Sequence, residues 1–430
     1  MTLNLPFFTS YDPPGSSEGT LDPLGLYQIA DQLAVRLVPA VRERMQRIRF
    51  LTAIAVGASV IEGMEENPET RDAAPFLVWE WLVVEAFVRS ADDSQVAAGV
   101  AGVQVAKRAV KQLGYVDAGS YLKTPRIFGF HGVYKRLALH LGLIDVHLRA
   151  GPNAQQLVDA WAAGLSSTVA GGAGALISKW TKAVRRSLDQ RPPRTRPGWA
   201  AADWLELASA LDPDRAKTRE KRWLREKLLA TGEGQLAALR EIWALVPTKS
   251  EDATNEPELH RRLKQKLPAY GPLLDGIRAY EAFARTLQDA FDCFRLAAST
   301  GQSFSLASMA SRREFTALST RVPKGFAAAD RALEGIAMER LAPHALFRER
   351  FGSFSEPLSA EALCVAICAH HERVQKAKSA AGKRSWFDSL GAGQIYLRQA
   401  YRLDTWTAAP AAYVHDYRTN PITRFVRDLK

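Results

Sequence analysis

Apolar residues recur every three or four positions through most of this 430-residue chain, broken at intervals by proline or glycine. That spacing binds the chain to a helical fold. Asp22 suits an N-cap and Pro23 the first helical position, ahead of Ile29, Leu33, Leu37 and Val38. Pro39 breaks the stripe and is expected to start a second helix. Its apolar face would hold Val41, Met45, Ile48, Leu51 and Ala55, with Arg42, Arg44, Arg47 and Arg49 at most of the other positions. Further helices are expected over 75–88, 103–113, 130–143, 204–211, 219–229, 259–267, 273–298 and 361–378. Only 394–398 and 413–417 suggest strands. The expected class is mainly α: a multi-domain helical protein with candidate winged-helix modules and a few short C-terminal strands.

The segment Arg191, Pro192, Pro193, Arg194, Thr195, Arg196, Pro197, Gly198 cannot continue a helix and is the expected linker. The domains read as an arm over 1–21, a helical domain over 22–190, a helical domain over 199–300, and a basic helical to α+β domain over 301–430. A winged-helix segment is expected near 100–150 and a second helix-turn-helix over 304–318. The chain is 47% hydrophobic and 24% charged, a folded composition. Its three cysteines are too few for a disulfide framework, which favours a reducing cytoplasm. Residues 1–14 lack a basic stretch leading into an apolar one, so no signal peptide is expected. The apolar window 76–88 contains Glu80 and Glu85 and is too short to span a bilayer. A cytoplasmic protein with no membrane partner is expected.

Charge points to the partner. The net charge is +11, and residues 373–430 carry eleven basic side chains against four acids. Trp386, Phe387, Tyr396, Tyr401, Trp406, Tyr413, Tyr417 and Phe425 are interleaved with them. Such a surface suits nucleic acid, DNA above all, and suits equally a basic domain with an aromatic core. Lys376, Lys378, Lys383, Arg384, Arg398 and Arg402 are expected phosphate contacts, with Trp386 stacking on a base. The alternative for the helix end is favourable pairing of Lys and Arg with the helix dipole. In the string 131–144, Lys135 and Arg136 lie on a basic amphipathic helix that would read DNA around Tyr134 to His140. Any surface helix with a glycine cap can carry the same pattern. Residues 185–227 hold twelve basic side chains against seven acids. Alternating charge explains part of that surplus, while Arg191, Arg194 and Arg196 are left to hold a backbone or a partner loop.

Catalytic signatures are missing. Cys364, Cys368 and His371 share a helix face and offer ligands to zinc, but the two cysteines also read as buried helix core. Gly171 to Ala175 follows no strand, and Gly382, Lys383 and Arg384 lack the upstream glycine of a phosphate loop. Glu62, Glu65 and Glu66, and the pair Asp92 and Asp93, are acidic clusters without the partner lysine or histidine of a two-metal nuclease. No cofactor and no catalytic residue are expected.

Asp22 to Leu26, Leu37 to Val41 and Arg47 to Thr52, together with the string from His370 to Phe387, resemble uncharacterised bacterial proteins of phage-defence islands. The resemblance covers about a quarter of the chain and carries no catalytic residue. It implies a subunit working beside helicases, nucleases or methyltransferases. The expected function is a non-enzymatic DNA-binding or adaptor subunit of an anti-phage defence complex. A nuclease or other catalytic effector, its site assembled from distant residues, is the alternative.

Overall fold

The computed structural model describes residues 22–90, 99–165, 171–230, 237–247, 255–301, 303–336, 343–378, 383–409 and 411–430. The expected arm, Asp92 and Asp93, and Gly382 lie outside them. Helices dominate, and a three-stranded sheet forms towards the C-terminus. No helix among the described residues is long and apolar enough to cross a membrane.

The chain divides into two units. One combines the chain up to Leu37 with Asn255–Tyr417, and the other combines Val38–Thr254 with Arg418–Lys430. None of these divisions falls at the edges expected around 190 and 300. The Pro-Arg segment is no linker, because Thr195 inside it is buried in the second unit at 2% exposure.

The second unit is organised around the helix Pro75–Ser90, whose residues from Pro75 to Phe87 are all buried. It packs on the helices Val103–Leu113, Gly172–Leu188 and Ala201–Leu211. Trp180 stacks obliquely between Trp79 and Trp161, at ring separations of 5.6 and 6.0 Å. The Trp79 indole donates to the Ala53 carbonyl at 3.0 Å. Gly57 permits that approach, since a Cβ there would lie 2.3 Å from Trp79 Nε1.

Buried charges in this unit are paired, as a low-dielectric interior requires. Glu80 accepts the Tyr121 hydroxyl at 3.0 Å and the His131 backbone N–H at 2.9 Å, and meets His131 Nδ1 at 3.1 Å. Glu220 takes Arg49 Nε at 2.9 Å and the Thr52 hydroxyl at 2.6 Å.

The helix expected from Pro39 begins only at Phe50. Val41, Met45 and Ile48 are nonetheless fully buried. Ala40 adopts a left-handed φ of 69°. The N–H groups of Arg47 and Ile48 donate to the Tyr134 hydroxyl at 2.8 Å and to Asp428 at 3.1 Å. Side chains satisfy this backbone, so it needs no helical ladder.

The winged-helix expectation is also corrected. The helix Phe130–His140 forms, but Phe130, His131, Val133, Tyr134, Leu137 and Ala138 are buried. The following loop holds one isolated bridge, Ile144 to Ala150, in place of a wing. Tyr134 faces inward and cannot read a base.

In the first unit the helix Gly271–Ala298 packs along Arg313–Glu334. Phe326 stacks on Phe347 at 4.9 Å, and Phe283 meets Phe347 and Phe351 edge-on at 5.2 and 5.3 Å. The sheet has Gln394–Leu397 at its centre, antiparallel to Phe304–Ser305 and Phe387–Gly391. Phe304 pairs with Ile395 and Phe387 with Leu397. The two-residue strand Phe304–Ser305 and a 3-10 helix over Leu306–Ser311 take the place of the first helix of the expected second helix-turn-helix.

The strand expected over 413–417 does not form. Glu281 accepts the Val414 N–H at 2.6 Å, His415 Nδ1 at 2.8 Å and the Tyr417 hydroxyl at 2.6 Å, while Glu256 accepts the Tyr417 N–H at 3.2 Å. Two buried carboxylates thus do for this segment what a neighbouring strand would have done.

His371 donates from Nδ1 to the Pro23 carbonyl at 2.8 Å and accepts the Trp386 N–H at Nε2, at 3.1 Å. His370 donates from Nε2 to the Leu24 carbonyl at 2.7 Å. Burial holds both imidazoles at a pKa of about 4, below the ordinary 6.5.

Two predictions follow from these packings. Gly57→Ala forces Trp79 out of place and lowers stability by about 1–3 kcal/mol, read as a fall in thermal midpoint. The depressed histidine pKa values give stability that is complete above pH 6.5 and lost as pH falls towards 4. Each contributes on the order of a few kcal/mol. Denaturant titrations of the wild type and of His371→Gln are expected to diverge above that window and converge at its acid end.

Candidate nucleic-acid interface

Glu85 sits inside the central helix of the second unit and is completely buried. Burial raises its pKa, and Thr195 and Arg89 oppose the shift. The Thr195 hydroxyl donates to Glu85 Oε2 and accepts the Val116 N–H at 2.7 Å. The Thr195 N–H in turn donates to the Val116 carbonyl at 2.9 Å. Arg89 reaches from Glu85 Oε1 at 2.7 Å to the Gly114 carbonyl at 2.6 Å. One buried carboxylate therefore fixes two loops, the turn after the helix Val103–Leu113 and the Pro-Arg segment.

Tyr115 lies between the two anchored residues of the first loop. The Arg194 and Arg196 guanidinium carbons lie 5.2 and 5.0 Å from its ring centroid. The ring's negative face holds both cations and reduces the entropy lost when they bind an anion. Asp117 and Arg194 form an isolated antiparallel bridge, and the Arg194 N–H donates to the Ser187 carbonyl at 3.1 Å. Arg196 and Arg191 are exposed, and Arg194 is half-buried. Residues 185–196 carry five arginines against the single acid Asp189. Arg186 and Arg191 spend donors on nearby carbonyls, Arg186 on Pro197 and Arg191 on Leu188 and Gln190, each at 3.3 Å. Beyond the segment, Arg89 lies 5.0 Å over Trp204, which meets Trp199 edge-on. The result is a fixed array of guanidinium groups beside aromatic rings, suited to phosphates along a chain.

The expected C-terminal contacts fare differently. Trp386 is buried and stacked on Tyr401 at 4.4 Å and 4°, and the Arg295 guanidinium carbon lies 5.0 Å from its ring centroid. It is not open to a base, which corrects that assignment. Lys376 pairs with Glu372 at 2.7 Å, and Arg384 pairs with Asp388 at 3.0 Å. Arg398 lies largely buried 3.5 Å from the same Asp388. Arg402 donates to the Gly301 carbonyl at 2.8 Å and lies over Tyr396. Lys378 is exposed and Lys383 half-buried. Much of the C-terminal charge surplus is thus engaged inside the first unit.

Lys135 falls elsewhere in the second unit, lining a cleft of about 800 Å³. Glu62, Glu65 and Glu66 also line it, with Arg126, His147 and Arg149. Arg126 pairs with Glu66. Lys135 and the acidic cluster thus border the same cleft. Arg136 is exposed on the same helix. No three His, Cys, Asp or Glu side chains among the described residues come together so as to hold a metal. His371 has both nitrogens occupied, and burial keeps Cys364 and Cys368 as thiols, Cys368 at about 12. His371 is therefore already engaged and does not offer a free third ligand beside the two cysteines.

Tyr115, Arg89 and Glu85 were missed as site residues. A glutamate inside an apolar helix signals a buried polar partner, but nothing in the sequence names Thr195 as that partner. No protein-family model, curated protein or solved structure matches this chain.

Proposed function

We propose that the chain is a non-catalytic nucleic-acid-binding subunit that holds the DNA backbone through the second unit. The observation that carries this reading is the pair Arg194 and Arg196 fixed over Tyr115. Guanidinium groups ordered in advance grip phosphate oxygens without reading bases, so binding is expected to be tight, weakly sequence-dependent and strongly salt-dependent. Membership of an anti-phage defence complex rests on the resemblance of the terminal strings alone, and would place a helicase or nuclease beside this subunit.

The cleft around Lys135 favours a second reading, a catalytic effector. Glu62, Glu65, Glu66 and Lys135 line that one cleft, and acidic and basic side chains are the groups that phosphodiester hydrolysis uses. That reading requires DNA cleavage by the purified chain with magnesium, lost on Glu65→Gln.

Fluorescence anisotropy on labelled duplex and single-stranded DNA tests the binding reading. Arg194→Ala with Arg196→Ala is expected to weaken binding at least tenfold at low salt. The slope of log affinity against log salt should fall by about 1.8. Thr195→Val keeps both arginines yet removes their anchor, and should weaken binding in the same direction. Lys383→Ala with Arg384→Ala should leave affinity within about twofold. Equal losses at the two places, or no loss at Arg194 and Arg196, would remove this surface from the site.

A further inference from the structure

The arginine array beside Tyr115 borders aromatic and apolar side chains that reach solvent, which a row of phosphates alone does not call for. We infer, taking the two anchored loops as the DNA-binding surface proposed above, that this surface takes single-stranded DNA with a base stacked on Trp199. Trp199 directly follows the Pro-Arg segment and is half-buried, so part of its indole stays open to solvent. It meets the buried Trp204 edge-on, at 4.8 Å and 77°. The backbone on either side of it is held. The Pro197 carbonyl accepts Arg186 Nη1 at 3.3 Å, and the Ala200 N–H donates to Asp203 at 2.8 Å. An indole fixed in this way loses little freedom when a base covers it. The acids of the next turn, Asp203 and Glu206, are paired with Lys179 at 2.5 and 2.7 Å, so their charge does not stand unopposed against a phosphate.

Arg89 ties this ring pair to the arginine array. Its guanidinium donates to the Gly114 carbonyl at 2.6 Å, and its guanidinium carbon lies 5.0 Å from the Trp204 ring centroid. Trp199 and the Tyr115 turn are thus neighbours across one arginine, close enough for one strand to touch both. Leu113 and Leu205, 45% and 55% exposed, are the chain neighbours of the two groups that Arg89 touches. A duplex hides its base faces in the stack and offers such a surface only phosphates and groove edges. A single strand exposes its base faces, and stacking on an aromatic ring is favourable whatever the base. The helix Val103–Leu113, which runs into the Tyr115 turn, carries Lys107, Arg108 and Lys111 and no acid. It extends the positive charge beside the turn, where a strand's phosphates would pass.

Fluorescence anisotropy with the full chain tests this on three labelled ligands of equal length at one salt concentration: an oligothymidine strand, a duplex and an abasic strand. Oligothymidine should bind about tenfold more tightly than the duplex. The abasic strand, which keeps the phosphates without the bases, should lose that advantage. Trp199→Ala should weaken oligothymidine about tenfold and leave the duplex and the abasic strand within about twofold, and Trp199→Phe should restore most of the loss. The abasic comparison uses the unaltered chain, so it decides the matter even where Trp199→Ala unsettles the fold. Arg194→Ala with Arg196→Ala should weaken all three ligands. Equal affinity for strand and duplex, or indifference to base removal or to Trp199→Ala, would overturn the inference while the arginine variant still lost binding. The exposed apolar side chains would then belong to a protein partner, and the backbone-holding reading would stand. No binding of any of the three ligands by the unaltered chain would overturn both.

Discussion

The second unit depends on how it neutralises Glu85. A carboxylate enclosed in an apolar helix costs several kcal/mol unless hydrogen bonds replace its water. Thr195 and Arg89 supply them, and both come with loops attached. The bond that stabilises the core therefore also aims the surface: Thr195 sets the arginines on either side of it, and Arg89 sets the turn that carries Tyr115. Glu80, five residues earlier on the same helix, does comparable work for Tyr121 and His131. The central helix acts as a keel with two polar sockets.

The first unit uses the same chemistry at other places. Glu281 and Glu256 gather the segment from Tyr413 to Tyr417, and His370 and His371 gather the turn before Tyr27. Carboxylates and imidazoles bonded to main-chain groups substitute for regular ladders over both segments. This is why neither segment has the strand or helix pattern that satisfied backbone usually shows.

Helices were legible because the apolar period survives wherever a helix packs on one face. Between Val41 and Ile48 the period misled: the same residues are buried, but on a chain of turns held by Tyr134 and Asp428. No local pattern distinguishes those cases, because the partners are distant in sequence. The Pro-Arg segment looked like a linker for the converse reason. Its composition forbids a helix, yet Thr195 ties it to Val116 and Glu85. The candidate binding residues were half legible. Arg191, Arg194 and Arg196 stood out by charge without helical pairing, whereas Tyr115 carried no signal of its own. At the C-terminus, counting charge overlooked the short-range pairs Glu372 with Lys376 and Arg384 with Asp388, and aromatic interleaving concealed the Trp386 and Tyr401 stack.

We propose that the DNA-binding surface is the pair of anchored loops around Tyr115 and Thr195, not the basic C-terminal stretch. Hydrogen–deuterium exchange of the full chain with and without a short DNA duplex tests it most directly. The account predicts slowed exchange at 114–117 and 185–198, with 376–402 unchanged. Protection confined to 376–402, with the two loops exchanging as in the free protein, would contradict it.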